Sequence, residues 1–533
     1  MTTKSVTKVL LAIIAAAFCS KGATASEQQP CGTKPYPSNT QFVTPDPILN
    51  SPQVWSFVSA PDLHPMRVST SSFGSMVSPG RILLAPYAFS DDATYGQPGS
   101  LILDNDANPV WFRPLSSPNL MNTDFRVQRL SGKPVLTFWQ GTLATPPAYT
   151  NVPAGSSEPL SCYYILDNSY RVISTITAQR GYTSDVHEFL LTPENTALLL
   201  ATRAVPMNLS SFGGPANGYV QDFSVQEIDL WTNSLVFFWS ALDHIPLANS
   251  YEPASSATSS GNVWDAYHLN SVGLTDNSDL LVSGRNTSTI YRISRKTGKF
   301  VWQLGGKQSN FTIENSANFS WQHDARFHAN NLVSMFDDAC CETSGEVPPG
   351  TPPSHGLFLK LNMSRMTAGL QREFYHNPNL NIASQGSTQS LENGNIFVGW
   401  GQSSYFSEYT AAGNNAANPA LNTIYTGQMP GNNYSYRAFR QAWIGTPFYP
   451  PSVAVKSNGG QTTVYASWNG STETRTWQVF SGKFPYLLAL TRTAPKDGFE
   501  TSISVSNADA YYQVKALDAS GRVIGTSTIV HRE

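Results

Sequence analysis

The sequence predicts an all-β protein: a six-bladed β-propeller followed by a small C-terminal immunoglobulin- or fibronectin-like β-sandwich. Strand pairs with polar turns recur along most of the chain, as in propeller blades. No stretch has the 3.6-residue apolar periodicity of an amphipathic helix. After Pro450 the composition changes to short alternating strands at the spacing of a sandwich.

The repeat has two alternating halves within roughly residues 60 to 445. One half is a strand pair with a polar turn, and it begins at Ile102, Tyr163, Val225, Ile290 and Phe358. The other half is a hairpin, found at Phe125, His187, His268, His323 and Gln385. Roughly four strands per unit indicate propeller blades. Stretches rich in Gly, Pro, Ser or Asn predict long loops at 142–159, 204–221, 243–263, 305–321, 342–355 and 402–430.

The predicted domains are a signal peptide at 1–25, an N-terminal extension at 26–59, a propeller at 60–447 and a sandwich at 448–533. Lys4 and Lys8 precede an apolar run from Val9 to Phe18, and Ala23-Thr24-Ala25 forms a cleavage motif. The run is too short to span a bilayer comfortably, and no later stretch approaches that length. We therefore expect a secreted, extracellular protein with no membrane contact after the signal is removed.

The overall composition excludes some partners and indicates the compartment. The net charge of −3 shows no basic bias, so nucleic acid is not expected as a partner. Four cysteines remain after the signal, and their three possible pairings are left open: Cys31, Cys162, Cys340 and Cys341. Seven sequons agree with secretion and are candidate glycosylation sites: Asn208, Asn286, Asn310, Asn318, Asn362, Asn433 and Asn469. The sequence does not predict an oligomeric state.

Three successive hairpins carry a histidine near the open end. Their turns are predicted at 193–196, 276–279 and 328–331. Antiparallel pairing then places these residues side by side: His187 near Arg203, His268 near Arg285, and His323 near Phe336. The common position of the histidines in the repeat is the main functional signal in the chain.

The innermost strand of each propeller blade lines a central channel, so equivalent residues converge there. We therefore expect His187, His268, His323 and Arg285 to share one pocket. Three further residues are candidate substrate-binding residues: Arg203, Gln385 and Asn270. Asn270 could instead bond to the backbone or position a neighbour. Several aspartates could orient the imidazoles or close turns: Asp185, Asp265, Asp324, Asp337 and Asp338.

Imidazoles combined with a guanidinium suit a tetrahedral oxyanion, because arginine matches sulfate, phosphate or carboxylate oxygens. A histidine can act as nucleophile, base or acid near neutrality. Three histidines could instead bind Zn²⁺. An arginine beside them would oppose a cation, so the sequence favours a site without a metal or other cofactor.

At these residues the sequence resembles the arylsulfotransferase (ASST) family, especially its secreted fungal branch. The resemblance covers roughly residues 80–445 and is most specific between 265 and 338. The matching motifs are DVHEF from Asp185, HLNSV from His268, LVSGR ending at Arg285, TGKFVWQLGG from Thr297, QHDAR from Gln322, and Phe336-Asp337-Asp338. The well-studied bacterial members have a different N-terminal domain, whereas this chain places a sandwich at its C-terminus.

The resemblance implies a six-bladed propeller with its active site in the axial channel. Family members move a sulfuryl group from a phenolic sulfate ester to a phenolic acceptor through a sulfohistidine, without a nucleotide donor. By motif match, His323 is the nucleophile. His268, Arg285 and His187 then bind the sulfuryl oxygens and assist proton transfer. The competing hypotheses are a non-catalytic propeller that binds glycans or proteins, and a metal-dependent hydrolase or lyase on the same scaffold.

Overall fold

A computed structural model describes residues 47–74, 76–88, 94–115, 120–141, 161–257, 263–339, 351–458, 460–506 and 508–532. Nearly all regular structure in these ranges is β-strand, as the sequence predicts. The helices described are single 3₁₀ turns at Ser210–Phe212, Leu247–Asn249, Ala254–Ser256, Asn315–Ala317 and Ala329–Asn331. None of the described helices is both long and apolar enough to cross a membrane.

Six sheets of four or five strands occupy the described part of residues 69–441. We number them in chain order and give the strands of each sheet in spatial order. Sheet one contains Phe439–Gln441, Arg81–Leu84, Gly99–Leu103 and Pro109–Pro114. Sheet two contains Met121–Leu130, Lys133–Gly141, Ser161–Leu166 and Val172–Ile176. Sheet three contains Thr183–Leu191, Thr196–Met207, Gly218–Asp229 and Leu235–Ser240.

The other three sheets follow the same order along the chain. Sheet four contains Leu269–Leu274, Leu280–Gly284, Thr289–Ile293 and Phe300–Gly305. Sheet five contains His323–His328, Leu332–Asp337, His355–Asn362, Thr367–Tyr375 and Thr312–Ile313. Sheet six contains Ser387–Ser390, Ile396–Gly399, Tyr405–Tyr409, Thr423–Gln428 and Ser69–Ser72. The pairs are antiparallel, except that Thr312–Ile313 lies parallel to Thr367–Tyr375.

The two ends of this region share sheets with each other. The early strand Ser69–Ser72 pairs with Thr423–Gln428 at the outer edge of sheet six. The late strand Phe439–Gln441 pairs with Arg81–Leu84 and becomes the first strand of sheet one. A small ladder of Pro86–Tyr87 with Tyr434–Ser435 joins the same two regions. Pairing between distant segments therefore connects the first and last sheets.

The core lies between neighbouring sheets, and the strand Leu280–Gly284 illustrates why. Successive side chains of a strand point to opposite faces. Leu280 and Val282 pack in a cluster shared with sheet three, which includes Leu198 and Phe223. Leu281 packs in a different cluster, shared with sheet five. A strand covered on both faces reads as a continuous apolar run rather than an alternating one.

Residues 452–531 form two further sheets. The first contains Ser452–Asn458, Gln461–Ser467 and Glu500–Val505. The second contains Leu487–Pro495, Thr476–Phe484, Tyr511–Leu517 and Val523–Thr526, with Val530–His531 pairing to Tyr511–Leu517. One apolar cluster takes residues from both sheets, including Val464, Ile503, Trp477 and Val514. The two sheets therefore bury a common core.

Several sequence predictions can be compared with these elements. The predicted loop at 402–430 is wrong in part, because strands Tyr405–Tyr409 and Thr423–Gln428 lie within it. Their polar residues obscured the strand pattern. The signal peptide at 1–25, residues 26–46 of the extension, and the loop 142–159 lie outside the described residues. So do Cys31, Cys340 and Cys341, while Cys162 is buried in sheet two, so the three possible disulfide pairings stay open.

The sequons fall into two structural groups. Four asparagines are exposed and remain candidates for a glycan: Asn208, Asn310, Asn318 and Asn362. Asn286 and Asn433 are buried, and the amide nitrogen of each donates a hydrogen bond to a backbone carbonyl. Asn469 is partly buried and bonds both backbone groups of Phe112. A glycan needs an amide nitrogen that is open to solvent, so the burial of these three side chains argues against their use.

Candidate active site

The first strands of sheets two to five are irregular at the same end. In sheet three, Ser184 pairs with Ala201 and Phe189 pairs with Leu199, so residues 185–188 bulge out of the ladder. Sheets two, four and five have smaller bulges at 124–125, 270 and 324–325. A bulge redirects side chains and commonly lies beside an active site. Here the bulges lie within or beside the predicted histidine motifs.

Backbone conformation reinforces these irregularities. Four residues at this end have left-handed φ values: 50° at Asp124, 47° at His268, 55° at Asp324 and 75° at Gln385. Residues other than glycine rarely adopt this conformation, and such strain gathers at functional sites. Regular strands would not present the same side chains to a common centre.

The structure brings His187, His268 and His323 together. The ring centres of His187 and His268 are 4.8 Å apart, and those of His268 and His323 are 6.5 Å apart. Each Nδ1 lies against a carboxylate oxygen, at 2.5 Å for Asp185 and His187, 2.5 Å for Asp265 and His268, and 2.6 Å for Asp338 and His323. Such carboxylates fix the orientation and tautomer of an imidazole. Three of the five aspartates singled out in the sequence thus orient histidines.

The three histidines differ in exposure. The His323 side chain is 1% exposed, that of His187 10% and that of His268 28%. A ligand that reaches the cluster from solvent therefore meets His268 first, and His323 is the deepest of the three.

His187 and His268 form a close pair through their outer nitrogens, with Nε2 3.2 Å from Nε2. Because Nδ1 of each ring faces a carboxylate, a neutral form of both rings would place two lone pairs against each other. One proton between the two Nε2 atoms removes that repulsion. Burial lowers the pKa of His268, and this outweighs the charge of Asp265, which favours protonation. The geometry therefore lets the pair hold a single proton between its two Nε2 atoms.

His323, in contrast to that pair, is held as a neutral ring by its hydrogen bonds. The backbone N–H of Gln385 points at His323 Nε2 from 3.2 Å. A backbone N–H can only donate, so Nε2 accepts and the ring proton lies on Nδ1, facing Asp338. Burial, together with the charges of Arg285 and the other two histidines, lowers the pKa of His323 well below its usual value. His323 is thus a neutral imidazole with a lone pair on Nε2.

Arg285 lies beside the histidines. Its backbone N–H donates to the carbonyl of His268, as the predicted hairpin requires. Its guanidinium stacks 4.8 Å from the ring centre of Trp321 and donates to Asn286 Oδ1 and the carbonyl of Ala383. Nε is buried and has no hydrogen-bond partner among the described residues. Its charge reaches both His268 and His323.

Gln385 and Asn270 each make a hydrogen bond that involves the backbone near His323. Besides the N–H bond to His323, the Gln385 side chain accepts a hydrogen bond of 2.5 Å from the Tyr87 hydroxyl. Asn270 is fully buried, and its amide donates to the carbonyl of Gln322. The structure therefore favours a backbone-bonding role for Asn270 over substrate binding. The carbonyl that it bonds belongs to Gln322, the residue before His323.

Arg203 does not lie where the sequence placed it. The bulge at 185–188 absorbs residues, so Thr202 pairs with Thr183 rather than with His187. The half-exposed guanidinium lies 3.7 Å from Asp222 and 4.5 Å from the ring centre of Tyr182. The expected contact of Arg203 with His187 is wrong, because a uniform hairpin register was assumed.

Tyr436 is a residue that the sequence analysis missed. It lies in the segment that leads into the late strand of sheet one, and its ring centre is 5.6 Å from His187 and 6.5 Å from His323. The side chain is buried, and its hydroxyl has no hydrogen-bond partner among the described residues. A buried hydroxyl without a partner is costly, which suggests that a ligand completes it. No repeat motif marks this position in the sequence.

The sequence analysis did not predict a cluster of six charged residues on the far side of the candidate site, of which Arg326 is partly buried and the other five are buried: Asp124, Arg126, Glu188, Asp324, Arg326 and Arg437. Of these, only Asp324 was singled out in the sequence, as a residue that could orient an imidazole or close a turn. Asp337 serves a turn, since its carboxylate accepts hydrogen bonds from the backbone of Ser320 and Ala339. No group of three or more histidine, cysteine, aspartate or glutamate side chains in the described ranges is arranged to hold a metal ion.

A sequence model of the arylsulfotransferase (ASST) family matches residues 126–418, more than half of the chain. The chain belongs to the arylsulfotransferase family. The matched region contains His187, His268, Arg285 and His323, whereas Tyr436 lies beyond it. A comparison with curated proteins found no match.

Solved structures resemble this arylsulfotransferase-family chain only distantly. A protein of unknown function from Bacteroides caccae has a TM-score of 0.35 and 11% identity, and the match covers 65% of this chain and 94% of that one. A streptogramin B lyase has a TM-score of 0.32 and 9% identity, with coverage of 75% and 94%. Virginiamycin B lyase from Staphylococcus aureus has a TM-score of 0.30 and 8% identity, with coverage of 74% and 94%. Likeness at this level carries no argument about this protein.

Proposed function

We propose that this protein moves a sulfuryl group from a phenolic sulfate ester to a phenolic acceptor through a sulfated His323. The observation that carries the proposal is that the three histidines have different roles available to them. His323 presents a neutral Nε2, while His187 and His268 form a pair that can hold one proton. Membership of the arylsulfotransferase family supports the same chemistry.

In the first half-reaction, the lone pair of His323 Nε2 attacks the sulfur of the donor. The S–N bond forms as the S–O bond to the aryl group breaks. The oxygen of the leaving phenolate takes a proton from the His187–His268 pair, and a neutral phenol leaves. Asp338 Oδ2 lies 2.6 Å from Nδ1, and burial raises the pKa of this carboxyl, so it can share the Nδ1 proton as positive charge develops on the His323 ring. The Gln385 N–H must give up its bond to Nε2 as the S–N bond forms.

In the second half-reaction, the acceptor phenol gives its proton to the same histidine pair. Its oxygen attacks sulfur, the S–N bond breaks and its electron pair returns to Nε2. The enzyme regains its starting protonation state, and the two half-reactions balance without a cofactor. The Arg285 guanidinium supplies positive charge for the sulfuryl oxygens, and a developing oxyanion in a buried site is stabilised strongly by such a group. The Tyr436 hydroxyl is a further donor.

The proposed architecture places this chemistry on the axis of a six-bladed propeller. The six sheets described above are then its blades, and the strand exchange between sheets six and one closes the ring. The two C-terminal sheets, with their shared core, are proposed to form a sandwich. Small-angle scattering and a crystal structure test both proposals, and a model with fewer blades or separate C-terminal sheets would contradict them.

We also propose that the protein is secreted and belongs to the secreted fungal branch of the family. The leader at 1–25 and the four exposed sequons support secretion. N-terminal sequencing of protein expressed in a secreting host should start at Ser26. Treatment with an N-glycosidase should lower its apparent mass. An N-terminus at Met1 on protein retained inside the cell would overturn the assignment.

The test of function is incubation of the purified protein with p-nitrophenyl sulfate and phenol. Release of nitrophenol should depend on the acceptor, survive EDTA and disappear in His323→Ala. With the acceptor omitted, one equivalent of nitrophenol should be released and one sulfuryl group should appear on the peptide that contains His323. Loss of activity on chelation would favour the metal-dependent hydrolase, and absence of turnover with a broad donor panel would favour a non-catalytic binding protein.

A further inference from the structure

Arg437 is a fully buried arginine that contacts several sheets at once. Its Nη1 lies 2.8 Å from Asp124 of sheet two, and its Nη2 lies 3.3 Å from Glu188 of sheet three. Nη2 also donates to the carbonyl of Asn270 in sheet four at 3.0 Å, and Nε lies 3.4 Å from Asp324 of sheet five. A guanidinium has five donors in a fixed plane, which suits it to such a junction.

Two more arginines complete this cluster. Arg126 pairs with Glu188 and Asp124, and Arg326 pairs with Asp324 and with Glu188 at 2.6 Å. Three positive and three negative groups therefore offset one another. Asp324 Oδ2 also faces the backbone N–H of Thr388 in sheet six at 3.3 Å. Buried charges are stable only when paired in this way, and removal of one partner leaves a costly uncompensated charge.

The cluster and the candidate site use neighbouring residues of the same chain segments. Glu188 follows His187, Asp324 follows His323, and Arg437 follows Tyr436. The first member of each pair faces the candidate site, and the second faces the cluster. Movement of a cluster residue therefore moves a site residue, since one peptide bond joins them.

We propose that Arg437 is a positioning residue for sulfuryl transfer, because its guanidinium fixes the spacing of His187, His268 and His323 across three sheets. It contacts the residue after His187, the residue after His323 and the carbonyl two residues beyond His268. Arg437 does not touch the reacting atoms. This inference rests on the proposed function of the same site. It requires that kcat for sulfuryl transfer depend on the distances between the three histidines.

The charge of Arg437 acts on the pKa of His323, a measurable quantity that a purely packing role of Arg437 would not change. Three groups contact His323: Asp338, which accepts its Nδ1–H, the Gln385 N–H and the Tyr436 ring. Four further groups act on it through their charge: Arg285, His268, His187 and Arg437. Arg437 is one of the groups whose charge lowers the pKa of His323. Loss of that charge should raise the pKa of His323, and retention of a lysine charge should restore it.

The experiment compares Arg437→Met, Arg437→Lys and the matched control Arg440→Met. Arg440 is three residues along the same segment, is equally buried and pairs with Glu408 at 2.8 Å, away from the histidines. We expect Arg437→Met to lower kcat about 100-fold, because a displacement of about 1 Å can have that effect. KM should change by only a few-fold. Arg440→Met should lose stability but keep kcat within a few-fold of the wild type.

Imidazole titration followed by NMR gives the second readout and does not require turnover. In Arg437→Met the His323 titration should shift to higher pH. In Arg437→Lys the titration should return toward the wild-type value, while kcat stays low because an ammonium cannot span three carboxylates. Equal kcat in Arg437→Met and Arg440→Met, or full recovery of kcat in Arg437→Lys, would overturn the proposal.

If Arg437→Met does not fold, the pair Glu188→Gln and Glu408→Gln provides the same comparison. Both glutamates are fully buried beside an arginine, and only Glu188 adjoins a site histidine. Glu188→Gln should lower kcat about 100-fold and Glu408→Gln only a few-fold. Equal kcat in these two variants overturns the inference. If the wild type transfers no sulfuryl group, the proposed function fails instead, while the His323 titrations still test whether the charge of Arg437 acts on His323.

Discussion

His187 and His268 face each other through two ring nitrogens 3.2 Å apart, while each ring holds its own aspartate on the far side. This geometry suits one proton shared between the two imidazoles, at the more exposed side of the cluster. Two phenols of the proposed reaction need that proton, one as it leaves and the other as it attacks. The pair therefore connects the two half-reactions.

His268→Asn should separate these two half-reactions. Nitrophenolate is a weak base and leaves without a proton, so the first release of nitrophenol should survive. Transfer to phenol should fall about 10²–10⁴-fold, the usual contribution of a general acid or base. Stopped-flow release of nitrophenol, followed by steady-state turnover, measures both. His244→Asn, at an exposed histidine in the turn that follows sheet three, is the control, and equal loss of burst and turnover would contradict the assignment.

The acid limb of the pH–rate profile should lie below the ordinary histidine range. Burial lowers the pKa of His323, so its Nε2 stays unprotonated at pH values where an exposed histidine is charged. We expect kcat/KM for the donor to hold its plateau at the reference histidine pKa of about 6.5 and to decline only at lower pH. The profile should be recorded with donors of different leaving groups. A midpoint at or above that reference would contradict a neutral nucleophile held by burial.

Tyr436→Phe should lower activity without loss of stability. The Tyr436 hydroxyl is buried and unpartnered among the described residues, so its removal breaks no internal bond. We expect the free energy of unfolding to stay constant or rise by about 1 kcal/mol, and kcat to fall about 10- to 100-fold if the hydroxyl donates to a sulfuryl oxygen.

Tyr409→Phe is the matched control for this variant. Its buried hydroxyl donates to the carbonyl of Tyr375 at 3.0 Å, away from the histidines. Removal of that group should lower stability by about 1 kcal/mol and leave kcat unchanged. Urea denaturation and steady-state kinetics on the two variants decide the question. Unchanged kcat in Tyr436→Phe would exclude a role in transfer.

Asp337→Asn should stabilise the protein at alkaline pH. Burial raises the pKa of Asp337 to about 7, so the folded state binds a proton between the unfolded value near 4 and pH 7. Its contribution to stability is therefore present in acid and is lost as the pH rises through 7. An asparagine can still accept the backbone bonds from Ser320 and Ala339. The gain should be about 4 kcal/mol at pH 8 and less than about 2 kcal/mol at pH 5.

The neighbouring His355 changes the stability with pH in the opposite direction to Asp337. Burial lowers its pKa to about 4, so the unfolded state binds the extra proton between about 4 and 6.5. Its contribution is lost as the pH falls through that range. In the wild type the two residues offset each other, and removal of Asp337 should reveal a steeper decline in stability toward acid. Urea denaturation at pH 5 and 8 measures this, and equal gains at both values would contradict the raised pKa.

The strand repeat, the family and the residues of the histidine cluster were accessible from the sequence. Apolar runs interrupted by polar turns are local features, and a strand covered on both faces needs such runs whatever its neighbours are. The motif around His323 marked the end of its hairpin correctly, since His323 pairs with Phe336. The sequence also indicated that aspartates orient the imidazoles, although it did not say which aspartate serves which ring.

Tertiary structure alone decided the arrangement of the site. Bulges and left-handed residues, such as those at Asp124, His268 and Asp324, break the two-residue period from which hairpin register is inferred. The bulge at 185–188 shifts the register of its hairpin in this way, so Arg203 does not pair beside His187. Tyr436 and Arg437 belong to a segment without a repeat motif, and the pairing of the two chain ends brings them to the histidines. Local sequence determines which strands form, whereas contacts between distant segments determine which side chains meet. A buried junction of charges depends wholly on such contacts, because its members come from different sheets.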